Sequence, residues 1–116
     1  MTFKEYIKQE GVTGQETKLD ANRVGLTDIN GIEKFVNLKK LSLGHNQITD
    51  LSPLSSLTGL TDLDLENNQI VYADMNNKEF ADIVYHAYSK GRLKGNPFSS
   101  SFYAEISQRI LGECEE

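Results

Sequence analysis

The chain has 116 residues, with 12 Lys plus Arg against 17 Asp plus Glu and a formal net charge of -5. That length makes one domain with a modest core, and the acidic balance argues against a broad nucleic-acid or anionic-membrane footprint, which needs clustered Lys and Arg. A single cysteine, Cys114, excludes an internal disulfide and a zinc site, and no apolar run reaches the ~20 residues of a membrane span. Met1 to Glu10 carries Lys4, Glu5, Lys8 and Glu10, which is not the pattern of a secretory signal, so a reducing, cytoplasmic setting is expected.

Taken in chain order, Thr2-Phe-Lys-Glu5 has the form of a capping box. Phe3, Tyr6 and Ile7 then make one apolar helix face, and Gly11 ends it. A first row follows, with Leu19, Ala21, Leu26, Asp28, Ile29, Ile32 and Phe35. The same pattern returns 22 residues later in Leu41, Leu43, Ile48, Asp50, Leu51, Leu54 and Leu57. Leu38-x-x-Leu41-x-Leu43-x-x-Asn46-x-Ile48 and Leu60-x-x-Leu63-x-Leu65-x-x-Asn68-x-Ile70 match at every pattern position. Val24 stands where Asn46 and Asn68 stand, so the first row has lost that Asn. After the third row the spacing stretches to 28, and Leu93, Asn96 and Phe98 answer to Leu65, Asn68 and Ile70, with Gly91 in place of Leu63.

The return paths differ. Asp50-Leu-Ser-Pro-Leu54 and Asp28-Ile-Asn-Gly-Ile32 suit short helical turns capped by the aspartates. Asn76-Asn77-Lys78-Glu79 reads as a second capping box, with Met75 and Phe80 placed as a hydrophobic staple. Phe80, Ile83, Val84, Ala87 and Tyr88 continue at helical spacing until Lys90-Gly91 stops the helix. Serines 99–101 offer an N-cap to a last helix. Its stripe is Phe102, Ile106 and Ile110, Gly112 closes it, and the acidic residues 113–116 form a frayed tail.

L-x-x-L-x-L-x-x-N-x-I, found twice in succession, resembles the leucine-rich repeat family in its 22-residue, internalin-like class. The resemblance covers about residues 19–98. It implies an α/β right-handed solenoid of about four rows with a short parallel sheet on its concave face. The expected organisation is a single domain, 1–116, with an N-terminal helical cap (1–16), repeats (17–98), a C-terminal helical cap (99–112) and the tail (113–116). In each row the two strand leucines point inward and the residue between them points out. The inward Asn at positions 46, 68 and 96 is expected to bond backbone groups that a tight turn leaves unpaired, as a structural ladder.

The outward columns are Lys18, Lys40, Asp62 and Lys90, then Asp20, Ser42, Asp64 and Arg92, then Asn22, Gly44, Glu66 and Lys94, with Arg23, His45, Asn67 and Gly95 at the following edge. The third row is acidic on this face and the fourth basic, so acid is expected to face base across about 4.8 Å. Either this is an internal charge ladder that fixes register, or it is a bipolar recognition surface. His86 is expected in solvent, and Tyr85 and Tyr103 as exposed aromatics. The sequence contains no Gly-rich phosphate loop, no metal-protease motif and no nucleophile elbow, so no reaction class, metal or cofactor is expected. The expected function is non-enzymatic protein–protein interaction through Lys40, Ser42, His45, Asp62, Asp64, Glu66, Arg92 and Lys94. The alternative is a small inhibitor, a phage or pathogen product, that occludes a host enzyme or nucleic-acid-binding protein. No nucleic acid or membrane contact is expected, and self-association is open.

Overall fold

The computed structural model describes the backbone of residues 1–114 and the side-chain surroundings of residues 1–109. Three three-residue strands form one parallel sheet in chain order: β1 (Lys18–Asp20), β2 (Lys40–Ser42) and β3 (Asp62–Asp64). Leu19 pairs with Leu41, and Leu41 with Leu63. The register follows from the repeat: with 22 residues per circuit, each strand leucine meets its own counterpart. The molecule is elongated, 47 × 26 × 20 Å, as stacking of coils requires.

The strands are short because each coil bends just after them. Arg23, His45 and Asn67 all take left-handed backbone, at φ +57°, +58° and +57°, and Gly95 does so at +82°. Asp20 and Asp64 end their strands by accepting from N–H groups two residues on, Asn22 at 3.2 Å and Glu66 at 3.1 Å. Contacts between coils continue past the strands. The N–H groups of Ala21, Leu43 and Leu65 donate to the carbonyls of Ser42, Asp64 and Arg92, at 2.8 to 2.9 Å.

The core runs down the middle. Leu26, Leu43, Ile48, Leu54, Leu65 and Ile70 are fully buried. Asn46 and Asn68 are the buried polar residues among those described, and both are fully engaged. The Asn46 carbonyl accepts from Val24 and Leu26 N–H, and its amide donates to the carbonyls of Ala21, Leu43 and Gly44. Asn68 and Asn96 repeat the arrangement one and two coils later, accepting from Ile48 and Ile70. Asparagine suits this place because its amide accepts and donates at once.

The fourth row departs from expectation. It has the coil-to-coil hydrogen bonds, from Leu65 to Arg92 and from Asn67 to Lys94, but residues 91–95 form turns and not a strand. The cause is the helix before it. In the earlier rows the N–H of Lys40 and Asp62 donates back to the carbonyls of Thr17 and Lys39. The corresponding Lys90 N–H caps α2 (Lys78–Ser89) by donating to His86, and Arg92 N–H donates to Ala87. Those donors are lost to the sheet.

α1 (Phe3–Glu10) lies against the first coil. Its capping box, Thr2 with Glu5, forms, and Gly11 ends it at φ +64°. Phe3 is fully buried and packs edge-on against Phe35 at 5.6 Å. Met1 adds a strap, its ammonium donating to Gly25 carbonyl and its own carbonyl accepting from Thr27. Two short helical turns, Ile32–Lys34 and Ser52–Leu54, make the first returns. The aspartates do not cap them: the N-caps are Gly31 and Leu51, without a side-chain bond, and Asp28 and Asp50 instead accept from the N–H two residues on, ahead of the turns.

α2 starts one residue later than the capping-box reading. Asn77, not Asn76, is its N-cap and accepts from Phe80 N–H at 3.1 Å. Asn76 is engaged elsewhere, since its N–H donates to Asp74. Phe80 therefore sits at the third helical position, and the staple with Met75 loses its register, although Met75 still packs on the core. Phe80, Ile83, Val84 and Ala87 are buried, whereas Tyr88 is 36% exposed.

α3 (Ser100–Cys114) runs past Gly112, where the sequence had placed its end. A glycine in a terminal helical turn costs only about 1 kcal/mol against Ala, which does not stop a helix. Ser99 caps its start, accepting from Phe102 N–H. Phe102 and Ile106 are buried, and Phe102 stacks on Phe98 at 4.1 Å. Arg109 joins α3 to α2 through an ion pair with Asp82 and a position over the Tyr85 ring. The Ile110 side chain and residues 115–116 lie outside the described residues.

Candidate partner-binding face

The sheet exposes the residues between and beside its inward leucines. Register places Lys18, Lys40 and Asp62 in one column and Asp20, Ser42 and Asp64 in the next. Coil-to-coil hydrogen bonds extend the second column to Arg92 and place Gly44, Glu66 and Lys94 in a third. Lys40, Ser42, Asp62, Asp64, Glu66, Arg92 and Lys94 therefore share one face, with Lys40 and Lys94 the more exposed ends.

The charges on this face do not all pair. Arg92 reaches Asp64, Nη1 to Oδ2, at 3.3 Å, with side chains 43% and 16% exposed. At that exposure the pair contributes about 0–1 kcal/mol. The expected pairings of Asp62 with Lys90 and of Glu66 with Lys94 do not form. A Cβ placed on Gly91 would lie 3.2 Å from Lys94 Cε and 3.5 Å from Nζ. Lys94 therefore folds toward Gly91, beside the C-terminal end of α2, where carbonyl dipoles favour a cation. Among the described residues, the carboxylates of Asp62 and Glu66 carry no ion pair.

Asp64 has two structural tasks: it ends β3 through Glu66 N–H and holds Arg92. Asp62 and Glu66 have neither. In the neighbouring row, Gly44 donates to Asn22 Oδ1 at 2.6 Å, and a Cβ at Gly44 would meet that oxygen at 3.0 Å. A side chain there would crowd the row beneath.

His45 stands at the edge of this face on its left-handed turn. Its Nε2 lies 3.4 Å from both Arg23 Nη2 and Asn67 Nδ2, the residues above and below it in the stack. Both of those atoms are donors, so the contacts use the Nε2 lone pair and fit the imidazole protonated on Nδ1. The repeat spacing already puts Arg23, His45 and Asn67 in one edge column, with Gly95 next after the longer spacing of 28, but it does not show that the three side chains touch.

His86 is exposed on α2, Tyr85 is half-buried beside it, and Tyr103 is 44% exposed. Among the described residues, no group of three or more His, Cys, Asp or Glu is placed to hold a metal ion. None of the described helices is long and apolar enough to cross a membrane.

The family model described as "Leucine Rich repeats (2 copies)" matches residues 17–54 and again 36–78. With three in-register parallel strands one repeat apart, the chain belongs to the leucine-rich repeat family. It is 49% identical over 57 residues to leucine-rich repeat-containing protein 56 of Rattus norvegicus, a stretch covering 49% of this chain and 10% of that protein. It is 32% identical over 80 residues to leucine-rich repeat-containing protein 23 of Homo sapiens, covering 69% of this chain and 23% of that protein. The chain thus spans less than a quarter of the length of these relatives.

Proposed function

We propose that the chain is a single-domain, right-handed solenoid of four 22-residue-class coils, closed by α1 and α3, and that it is a non-enzymatic protein-binding module. The partner contacts the concave side of the sheet through Lys40, Ser42, His45, Asp62, Asp64, Glu66, Arg92 and Lys94. The observation that carries this reading is the pair of carboxylates on β3 and its turn, Asp62 and Glu66, that have no ion pair among the described residues, on a sheet paired to its neighbour. A rigid face loses little conformational entropy on association. A charge free of internal partners is available to an external cation.

The test is the double variant Asp62→Lys/Glu66→Lys, which spares the strand-ending role of Asp64. Proteins cross-linked to the wild-type chain in its native host are compared with those cross-linked to the variant. The expected result is a partner lost from the variant while far-UV circular dichroism and melting are unchanged. A partner set identical for the two proteins removes this face from the account. An inhibitor would use the same face, and loss of activity of the purified partner on adding the chain separates it from an adaptor.

A further inference from the structure

The hydrogen bonds between coils form two series of donors. Ala21, Leu43 and Leu65 give their N–H groups to the next coil, and so do Arg23, His45 and Asn67. The next members are Leu93 and Gly95. No fifth coil follows them among the described residues, so neither series has a further carbonyl to meet. A groove of about 540 Å³ opens at this place, between the end of α2 and the start of α3. Residues of the third row do not line it, so it lies on the outer side of the fourth.

Tyr88 and Tyr103, 36% and 44% exposed, stand along the groove, with the half-buried Phe98 beside them. Lys90 and Lys94 supply its charge. Among the described residues neither lysine has an ion-pair partner, and Lys94 is already turned toward Gly91 in the groove wall. The C-terminal dipole of α2, worth about half a charge, does not neutralise two lysines.

We infer that this open end of the fourth coil is a second docking site, which takes an extended acidic segment of a partner protein. The segment lies extended along residues 93–95 and accepts from the N–H groups of Leu93 and Gly95. Its carboxylates meet Lys90 and Lys94, and its apolar side chains lie on the tyrosines. An extended segment laid along unpaired main-chain donors draws affinity from main-chain hydrogen bonds and specificity from alternate side chains. A second copy of this chain is the poorer occupant, because two molecules of net charge -5 repel each other. The site goes beyond the sheet face proposed above, with which it shares only Lys94.

The experiment uses the full chain and a short fluorescein-labelled peptide of alternating Glu and Val, with a Lys and Val peptide as control. Fluorescence anisotropy is expected to show binding of the acidic peptide only, weakened about tenfold by Lys90→Glu and again by added salt. Tyr103→Ser is expected to weaken it. Amide NMR shifts are expected at Leu93 and Gly95, and Asp62→Lys/Glu66→Lys should leave binding intact, so failure here is separable from failure of the sheet face. Equal binding of the basic peptide, unaltered binding by Lys90→Glu, or shifts confined to residues 62–66 would overturn the proposal. A dimer in sedimentation velocity that Lys90→Glu dissolves would also overturn it, in favour of a second copy.

Discussion

At the scale of single residues, the inward asparagines are the positions with least freedom. Asn68 is 1% exposed and holds a donor and three acceptors from two coils. Asn68→Ala leaves these groups buried and unpaired, at about 1–3 kcal/mol for each such group. The urea midpoint is expected to fall steeply, and a midpoint within experimental scatter of wild type would contradict the hydrogen-bond account. Gly95 is constrained for a different reason. Its φ of +82° is strained for any side chain, and an added Cβ would come within hard contact of the Asn67 amide. Gly95→Ala is expected to destabilise by more than 1 kcal/mol, whereas Gly11→Ala, with open space around it, loses only the backbone preference. The sequence exposed the asparagines because they recur at fixed spacing. The same spacing puts Arg23, His45 and Asn67 in one edge column, but their contacts and their shared left-handed backbone stay hidden, because three different side chains share one conformation and no pattern of residue type marks it.

At the scale of elements, the strands were legible and the ends of helices were not. Leu19, Leu41 and Leu63 lie on adjoining strands because burial of leucine on one side of a two-residue period fixes register. Helix ends depend on competition between neighbouring polar residues, which one chain of letters does not resolve. Asn76 and Asn77 both qualify as caps, and the contest is decided by Asp74, which takes the Asn76 N–H. Asn77→Ala is therefore expected to cost about 1 kcal/mol, and Asn76→Ala less than about half that, in paired thermal melts. The same contest explains the missing fourth strand, since Lys90 N–H satisfies the end of α2.

α1 carries a pH dependence of its own. Tyr6 donates its hydroxyl to Asp20 carbonyl, at 3.1 Å, on the coil whose own ladder position is Val24. Burial first, then the charges of Glu10 and Asp20, hold the Tyr6 phenol above its ordinary value near 10.0. A raised folded-state value means that the unfolded chain ionises first as pH rises. The stabilisation is whole below that ordinary value and is lost as pH climbs through the raised one. Tyr6→Phe is expected to lower stability at neutral pH by about 1 kcal/mol, through the lost hydrogen bond, and to flatten the decline between pH 10 and 12. Urea midpoints measured across that range would show it, and parallel declines in the two proteins would refute the assignment.

At the scale of the whole molecule, the proposed solenoid would pass stability from coil to neighbouring coil. Phe102 is fully buried and stacks on Phe98 beside the fourth row. Phe102→Ala is expected to cost about 3–5 kcal/mol. The loss should be uneven. Amide exchange is expected to speed up first at Leu65, Asn67 and Ile70, whose bonds depend on the fourth coil, and last at Ala21. Uniform acceleration along the chain would show that the coils melt as one unit. The candidate face was readable at this scale only in part. Column membership followed from the spacing, but the pairing of charges did not. The position of Lys94 is set by the end of α2, an element that lies outside the repeat.

The change of spacing from 22 to 28 residues has a practical meaning for engineering. The surplus lies on the outer circuit, between Asp74 and Lys90, and although α2 takes the Lys90 and Arg92 N–H groups from the sheet, Leu65 and Asn67 still meet Arg92 and Lys94 as their predecessors met theirs. The coil-to-coil bonds of the inner circuit thus survive a longer outer one. A foreign segment grafted in place of α2 would ride on the back of the coil without shifting the sheet, provided that it brought an apolar stripe to replace Phe80, Ile83, Val84 and Ala87.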